Sequence, residues 1–460
     1  MSQNTLVVKQ AYTGVTLKEI SMHDSAAIEH MLDRAYELHQ SGALPIFKRI
    51  SILQKLSVLV AKEHEVFSQL IANEGGKPIR DARVEVTRAV DGIRIAIAEI
   101  RSINGEEVPM DLTEAGTGRK AFTILEPIGV VVAISAFNHP LNLAIHQIIP
   151  AIAAGCPVIF KPSSSTPLCG LHLMKLIIQA GLPENWVQIA LANRENSETL
   201  VTDPRVAFFS FIGSAKVGWY LKSKLAPGTR CALEHGGVAP LIFDSCQDEE
   251  AFVSGVVKAS MYHSGQVCVS VQRVYIQKDK AEYLAKKIAH VAMTQVVGDA
   301  TNEDSDLGPL ISAKETDRIE TWVNEAIDEG AELLCGGKRI NAVSYEPTVL
   351  LNPSKESKVS TQEIFAPVVC IYSYSNINAA IEAANSLDVS FQSAVFSQDM
   401  SLAMDVAKKL QASAVMINDY TTFRVDWMPF AGRKHSGYGV GGIGYSMRDM
   451  LEHKMLVIKD

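Results

Sequence analysis

The chain has 460 residues, 47% of them hydrophobic, and a formal net charge of -8. That length can bury a large core and predicts about two to four domains, while 43 basic residues scattered along an acidic chain leave no positive patch for a nucleic-acid backbone. No run reaches the ~18 uninterrupted apolar residues of a membrane span, and the N-terminal stretch MSQNTLVVKQ has no signal-peptide pattern, so no membrane partner and a cytoplasmic location are expected.

From residue 25 to about 102, apolar residues recur at three- and four-residue spacing, which predicts helices, with Gly75 and Gly76 as a helix stop. The polar segment 104–123 reads as a connection or hairpin outside the main core. After residue 124 strands and helices alternate: IGVVVAIS, a helix over LNLAIHQIIPAIAA, PVIFKP, LCGLHLMKLIIQAG, VQIALA, a helix near 195–202, VAFFSFIG, AKVGWYLKSKLA and CALEHG. Strands separated by helices of ten or more residues pair in parallel through right-handed crossovers, so this is a doubly wound α/β layer that binds ligands beyond its strand C-termini. A second α/β pattern starts near 238 with LIFD, VYIQ, VVCIYSY, SAVFS and AVMIND. The C-terminal stretch ends in the strand-like MLVIK.

Seven cysteines without any Cys-x-x-Cys spacing argue against a disulfide framework and a zinc site, and no metal is expected. In the chain MYHSGQVCVSVQRVYI, Cys268 falls on a loop between a helix ending near Gly265 and a strand starting near Val269, a placement that hosts function more often than packing. The polar residues able to serve a nucleophile lie at strand ends: Asn138 after AISAF, Lys161 after PVIF, Gly213 and Ser214 after FFSFI, and Glu234 after CAL. Each alone reads as a turn or surface residue, but together they converge on one crevice. GVGGIG at 439–444 matches a dinucleotide-binding string, yet only 16 residues follow it, so it reads as a tight-turning connection.

The stretches EPIGVVVAISAFNHPLN, KPSSSTP, FIGSAKVG, LEHGG, GQVC, EIFAP and MPFAGRKHSGYG resemble, in order and spacing, the aldehyde dehydrogenase superfamily from about residue 25 onward. The resemblance implies an α/β fold: a Rossmann-type cofactor domain at 1–103 and 124–234, a second α/β catalytic domain at 235–430, and a β oligomerisation arm at 104–123 with 431–460 that gives a homodimer or homotetramer. It implies Cys268 as nucleophile, Asn138 as oxyanion donor and Glu234 as the base that activates water on the thioester. For NAD or NADP it implies Lys161 on the adenosine ribose, Gly213 and Ser214 beside the pyrophosphate, and Glu363 with Phe365 at the nicotinamide ribose.

Four departures from the family pattern carry expectations. Ser164 stands where NAD-preferring members have a glutamate, so NADP is expected to be accepted. Gln147 replaces a lysine nine residues after Asn138, and Gly444 is matched to a second acidic residue of the glycine-rich tail, which leaves proton handling to Glu234. Val267 replaces the arginine of some phosphoaldehyde-handling relatives, while Arg88, His139 and Arg424 are placed at the substrate mouth. FNHP and FRVDWMPF resemble the branch acting on small hydroxy, phospho- or phosphonoaldehydes, such as lactaldehyde, phosphonoacetaldehyde and non-phosphorylating glyceraldehyde-3-phosphate dehydrogenases. The competing readings are a cofactor-independent thiol acyl hydrolase on the same fold and a non-catalytic dinucleotide-binding protein.

Overall fold

The computed structural model describes residues 5–459. Its first sheet has six strands in the order Gly437–Tyr438, Arg230–Glu234, Val206–Ile212, Val130–Ile134, Val158–Lys161 and Val187–Ile189. All pair in parallel except the short Gly437–Tyr438 edge. The chain starts this layer at Val130–Ile134 in the middle, builds outward on one side and then on the other. The order therefore reverses between Val130–Ile134 and Val206–Ile212, which opens a crevice at their C-terminal ends.

The run VVVAI has no polar break because both faces of its strand are covered. Val131 and Ala133 join the core built with the helices Ile46–Lys62, Ile79–Glu99 and Pro140–Ala154. Val130, Val132 and Ile134 point to the opposite face, against Ile28 and Leu32 of the helix Ser25–Gln40. The helix His64–Gly75 stops at Gly76, whose φ of 68° is the left-handed cap that glycine accepts without a Cβ clash. A hairpin, Thr5–Lys9 with Thr16–Ser21, precedes these helices and was not predicted from the sequence.

The second sheet has seven strands, ordered Glu332–Cys335, Thr348–Leu351, Val368–Tyr374, Val271–Gln277, Ala239–Phe243, Gln392–Phe396 and Ala414–Ile417. Only the Glu332–Cys335 edge is antiparallel. A third sheet joins Glu107–Val108, Arg119–Pro127 and Leu451–Lys459, with nine residues of the last strand in register against Arg119–Pro127. The GVGGIG stretch turns through Gly439 and Gly442, with φ of 79° and 108°, and then enters the short helix Ile443–Asp449. Among the described residues no helix is long and apolar enough to cross a membrane, no acidic, histidine and cysteine group could hold a metal, and all seven cysteines are free.

Candidate active site

The four strand-end positions fall along one edge of the first sheet. Gly213 N–H donates to the Glu234 carbonyl at 3.0 Å, tying two neighbouring strand ends together, and Ser135 N–H donates to the Lys161 carbonyl at 3.1 Å on the other side of the switch point. Gln147 closes the gap between the central strands, since its Nε2 donates to the Ile134 carbonyl, the Ser210 carbonyl and the Ser210 Oγ. It staples the sheet beneath the site.

Cys268 reaches this edge from the second unit. The helix Glu249–Met261 ends in a corner where His263, Ser264 and Gly265 all take positive φ, of 50°, 54° and 72°. Two of these three residues are not glycine, so the turn is strained and must be held from outside. Gln266 supplies the hold: its Oε1 accepts from Ile311 N–H at 2.9 Å, and its Nε2 donates to the Pro309 carbonyl at 3.2 Å and the His263 carbonyl at 3.3 Å. The Gln266 carbonyl then accepts from Asn138 Nδ2 at 2.8 Å. One amide proton of Asn138 is thus fixed two residues from Cys268, and the second is left for another acceptor.

Burial pushes the Cys268 thiol up to about 12, the carboxyls of Glu363 and Glu234 add to the rise, and the charge of Arg424 opposes it. Burial also raises the Glu234 carboxyl, against the pull of Arg424. Glu363 is raised to about 8 by burial. Its Oε1 is buried without a partner, over Gly236, where any Cβ would overlap the carboxyl. Phe365 follows in a left-handed conformation and meets Phe137 edge-on at 5.9 Å.

A profile of the aldehyde dehydrogenase family matches residues 1–456. The chain belongs to that family. This aldehyde dehydrogenase is 36% identical to 3-sulfolactaldehyde dehydrogenase of Priestia aryabhattai over 452 residues, covering 98% of the chain and 94% of the relative. Among solved structures it superposes on aldehyde dehydrogenase 21 of Physcomitrella patens, in complex with the reaction product succinate, with a TM-score of 0.96, 33% identity, and 100% and 95% of the two chains covered. It superposes equally fully on the glyceraldehyde-3-phosphate dehydrogenase GapN of Methanocaldococcus jannaschii complexed with NADP, with a TM-score of 0.94, 34% identity and 100% of both chains covered.

Beside this site lies a group of buried charges, most of them held in ion pairs. Lys77 and Glu85 form a buried ion pair, and Glu85 also accepts from Leu141 and Asn142 N–H at the start of the helix Pro140–Ala154. Arg88 forks onto Asp426 at 2.7 and 3.1 Å, and His146 Nε2 and Asn142 Nδ2 bond the same carboxylate. Arg88, expected at the mouth, is therefore an anchor with both ends of its fork engaged. Burial leaves His146 neutral, at about 4, so the proton on its Nε2 is donated. Arg424 has no salt bridge among the described residues, its Nε is buried without a partner, and its guanidinium lies 3.5 Å from the Phe430 ring centroid. His139 is half-buried between Tyr262 and His263, and Val267 packs into an apolar cluster with Val269, Phe391 and Phe430.

One sequence expectation needs correcting. Gly444, in the helix Ile443–Asp449, packs against Glu99 rather than Glu234. The tail glycine that faces Glu234 is Gly441, whose Cβ position lies 1.9 Å from Glu234 Oε1. Counting along a glycine-rich string misplaced the match by three residues, a span the turn at Gly442 inverts in space. Gln266 and Asp426 were also missed: the first read as a loop residue, and the second has its partners more than 200 positions away in sequence.

Proposed function

We propose that this aldehyde dehydrogenase oxidises a short aldehyde with an anionic or hydroxylated tail to its carboxylic acid, using NAD or NADP. The observation that carries the reaction is the Asn138 amide fixed to the Gln266 carbonyl beside Cys268. The Cys268 thiol loses its proton to solvent, and the thiolate attacks the aldehyde carbon; the oxyanion so formed accepts from the second Asn138 amide proton and the Cys268 N–H. A dinucleotide held by Lys161, the Gly213–Ser214 turn and Glu363 would supply the hydride acceptor that this adduct needs. Glu234 then takes a proton from water, the resulting hydroxide attacks the Cys268 thioester, and the thiolate leaves as the acid is released.

The residues present fit a dinucleotide. The orphaned Glu363 Oε1 needs a donor such as a ribose hydroxyl, and Gly236 leaves the space the carboxyl occupies. Lys161 Nζ bonds only the Pro162 carbonyl, at 3.3 Å, and Ser164 beside it is exposed. Gly213 and Ser214 lead into the helix Ala215–Lys222, whose N-terminus suits a phosphate. On the substrate side, Arg424, which makes no ion pair among the described residues, supports an anionic tail, in keeping with a relative acting on 3-sulfolactaldehyde and one bound to succinate. We place the protein in the cytoplasm as a homo-oligomer assembled through the three-stranded arm.

The test is a panel of anionic, hydroxylated and plain short aldehydes with either cofactor, followed by nicotinamide reduction. Cys268→Ser is expected to lose roughly a thousandfold or more of kcat, and Arg424→Met to raise KM for anionic aldehydes alone. Ester hydrolysis without any nicotinamide reduction would instead mark a thiol hydrolase, and inertness in both assays a binding protein.

A further inference from the structure

We infer that Gly441 is the seat of the Glu234 carboxyl, a bare backbone surface that holds the base in the site because no side chain fills it. This rests on the proposed role of Glu234. No donor among the described residues bonds that carboxyl: its surroundings are burial and the charge of Arg424 alone. What fixes its place is therefore shape. A Cβ on Gly441 would lie 1.9 Å from Glu234 Oε1, 2.9 Å from its carboxyl carbon and 3.0 Å from the Phe430 carbonyl.

Gly441 cannot withdraw to make room. Its N–H donates to the Phe430 carbonyl at 2.7 Å and its carbonyl accepts from Phe430 N–H at 3.0 Å. The Phe430 ring is in turn covered by Arg424. On the other side the Glu234 backbone is registered against Gly437. Both walls are fixed, and the carboxyl is the movable part. Gly441 does not have positive φ, so alanine is allowed there by its backbone, and the clash falls on the free end of a flexible side chain. Gly441→Ala should fold and evict the carboxyl, with no new contact to Cys268 or Asn138.

The expected signature separates deacylation from the earlier steps. Gly441→Ala keeps the pre-steady-state burst of reduced nicotinamide, loses roughly tenfold or more of steady turnover, and accumulates acyl-enzyme visible as added intact mass. In a Glu234→Gln background, which stalls at the same acyl-enzyme, the alanine adds less than a twofold change, because the group it acts through is already disabled. Glu234→Asp, which pulls the carboxyl off the seat without crowding it, gives the same burst with slowed turnover and serves if the alanine variant does not fold. Normal turnover of Gly441→Ala or of Glu234→Asp, loss of burst and turnover together, or an equal loss in both backgrounds would overturn the seat. Normal turnover of Glu234→Gln would instead sink the role of Glu234 itself.

Discussion

Ser164 shows what a single side chain decides. It stands exposed three residues beyond Lys161, at the end of the strand Val158–Lys161, with no carboxylate to repel a 2′-phosphate. Ser164→Glu would place a negative charge there, and like charges in contact cost about 2 kcal/mol, roughly thirtyfold in affinity. Titration of the protein with each dinucleotide, followed by fluorescence or calorimetry, should show NADP weakened by about that factor and NAD nearly unchanged; equal losses would remove Ser164 from cofactor choice. Residues of this kind were legible because they sit where a strand ends. Asn138, Lys161, Gly213 and Glu234 each follow an apolar strand run, and the topology brings such ends together, while Cys268 stood out by its loop before the strand Val271–Gln277. Arg88 and Arg424 could not be told apart from sequence, since both are arginines near motifs. The difference is Asp426, which occupies one of them and leaves the other free.

At the scale of elements, the strands buried on both faces were readable as unbroken apolar runs, whereas Glu332–Cys335 and Thr348–Leu351 were not. Glu332–Cys335 is a half-exposed edge, and Thr348–Leu351, though buried on both faces, follows other short strands rather than a helix, so neither falls in the helix–strand alternation. The segment 421–430 escaped as well, because its order comes from contacts made at a distance rather than from local periodicity. Asp426 ties it to the helices Ile79–Glu99 and Pro140–Ala154 and so sets where Arg424 points. Burial alone would raise the Asp426 carboxyl, but the hydrogen bond from His146 and the charged Arg88 fork outweigh it and hold the group well below the ordinary aspartate range. A depressed carboxyl stabilises the fold at every pH above its unfolded value of about 4, and the contribution drains away only as pH falls further. Asp426→Ala would leave Arg88 without its partner and cost about 3 kcal/mol. Thermal and urea unfolding at neutral pH should show the loss, with a raised KM for anionic aldehydes as Arg424 is released. If the variant melts like the parent and keeps its KM, the anchor is not there.

At the scale of the whole molecule, the arm poses a problem one chain does not solve. Leu451–Lys459 is the outer strand of a three-stranded sheet, and every described residue of it except Leu451 is exposed. Alternate residues of a strand face opposite sides, so Met455 and Val457, 54% and 46% exposed, present one apolar face while Leu456 and Ile458, 39% and 52% exposed, present the other. A long edge strand that is apolar on both faces invites pairing. The polar residues Glu452, His453 and Lys454 cluster at the start of the strand, where Glu452 pairs with Arg230 and Lys454 with Glu126, and Lys459 closes it. A second copy covering the arm would remove four large apolar side chains from water, each worth about 1.5 to 3 kcal/mol when fully buried. Val457→Asp with Ile458→Asp charges both faces without touching the crevice or Cys268. Light scattering should then show the parent oligomer falling to the mass of one chain, with a lower melting temperature as the exposed arm loses its cover. An unchanged mass, or a parent that is already monomeric, would mean that the arm is covered by something other than its own kind.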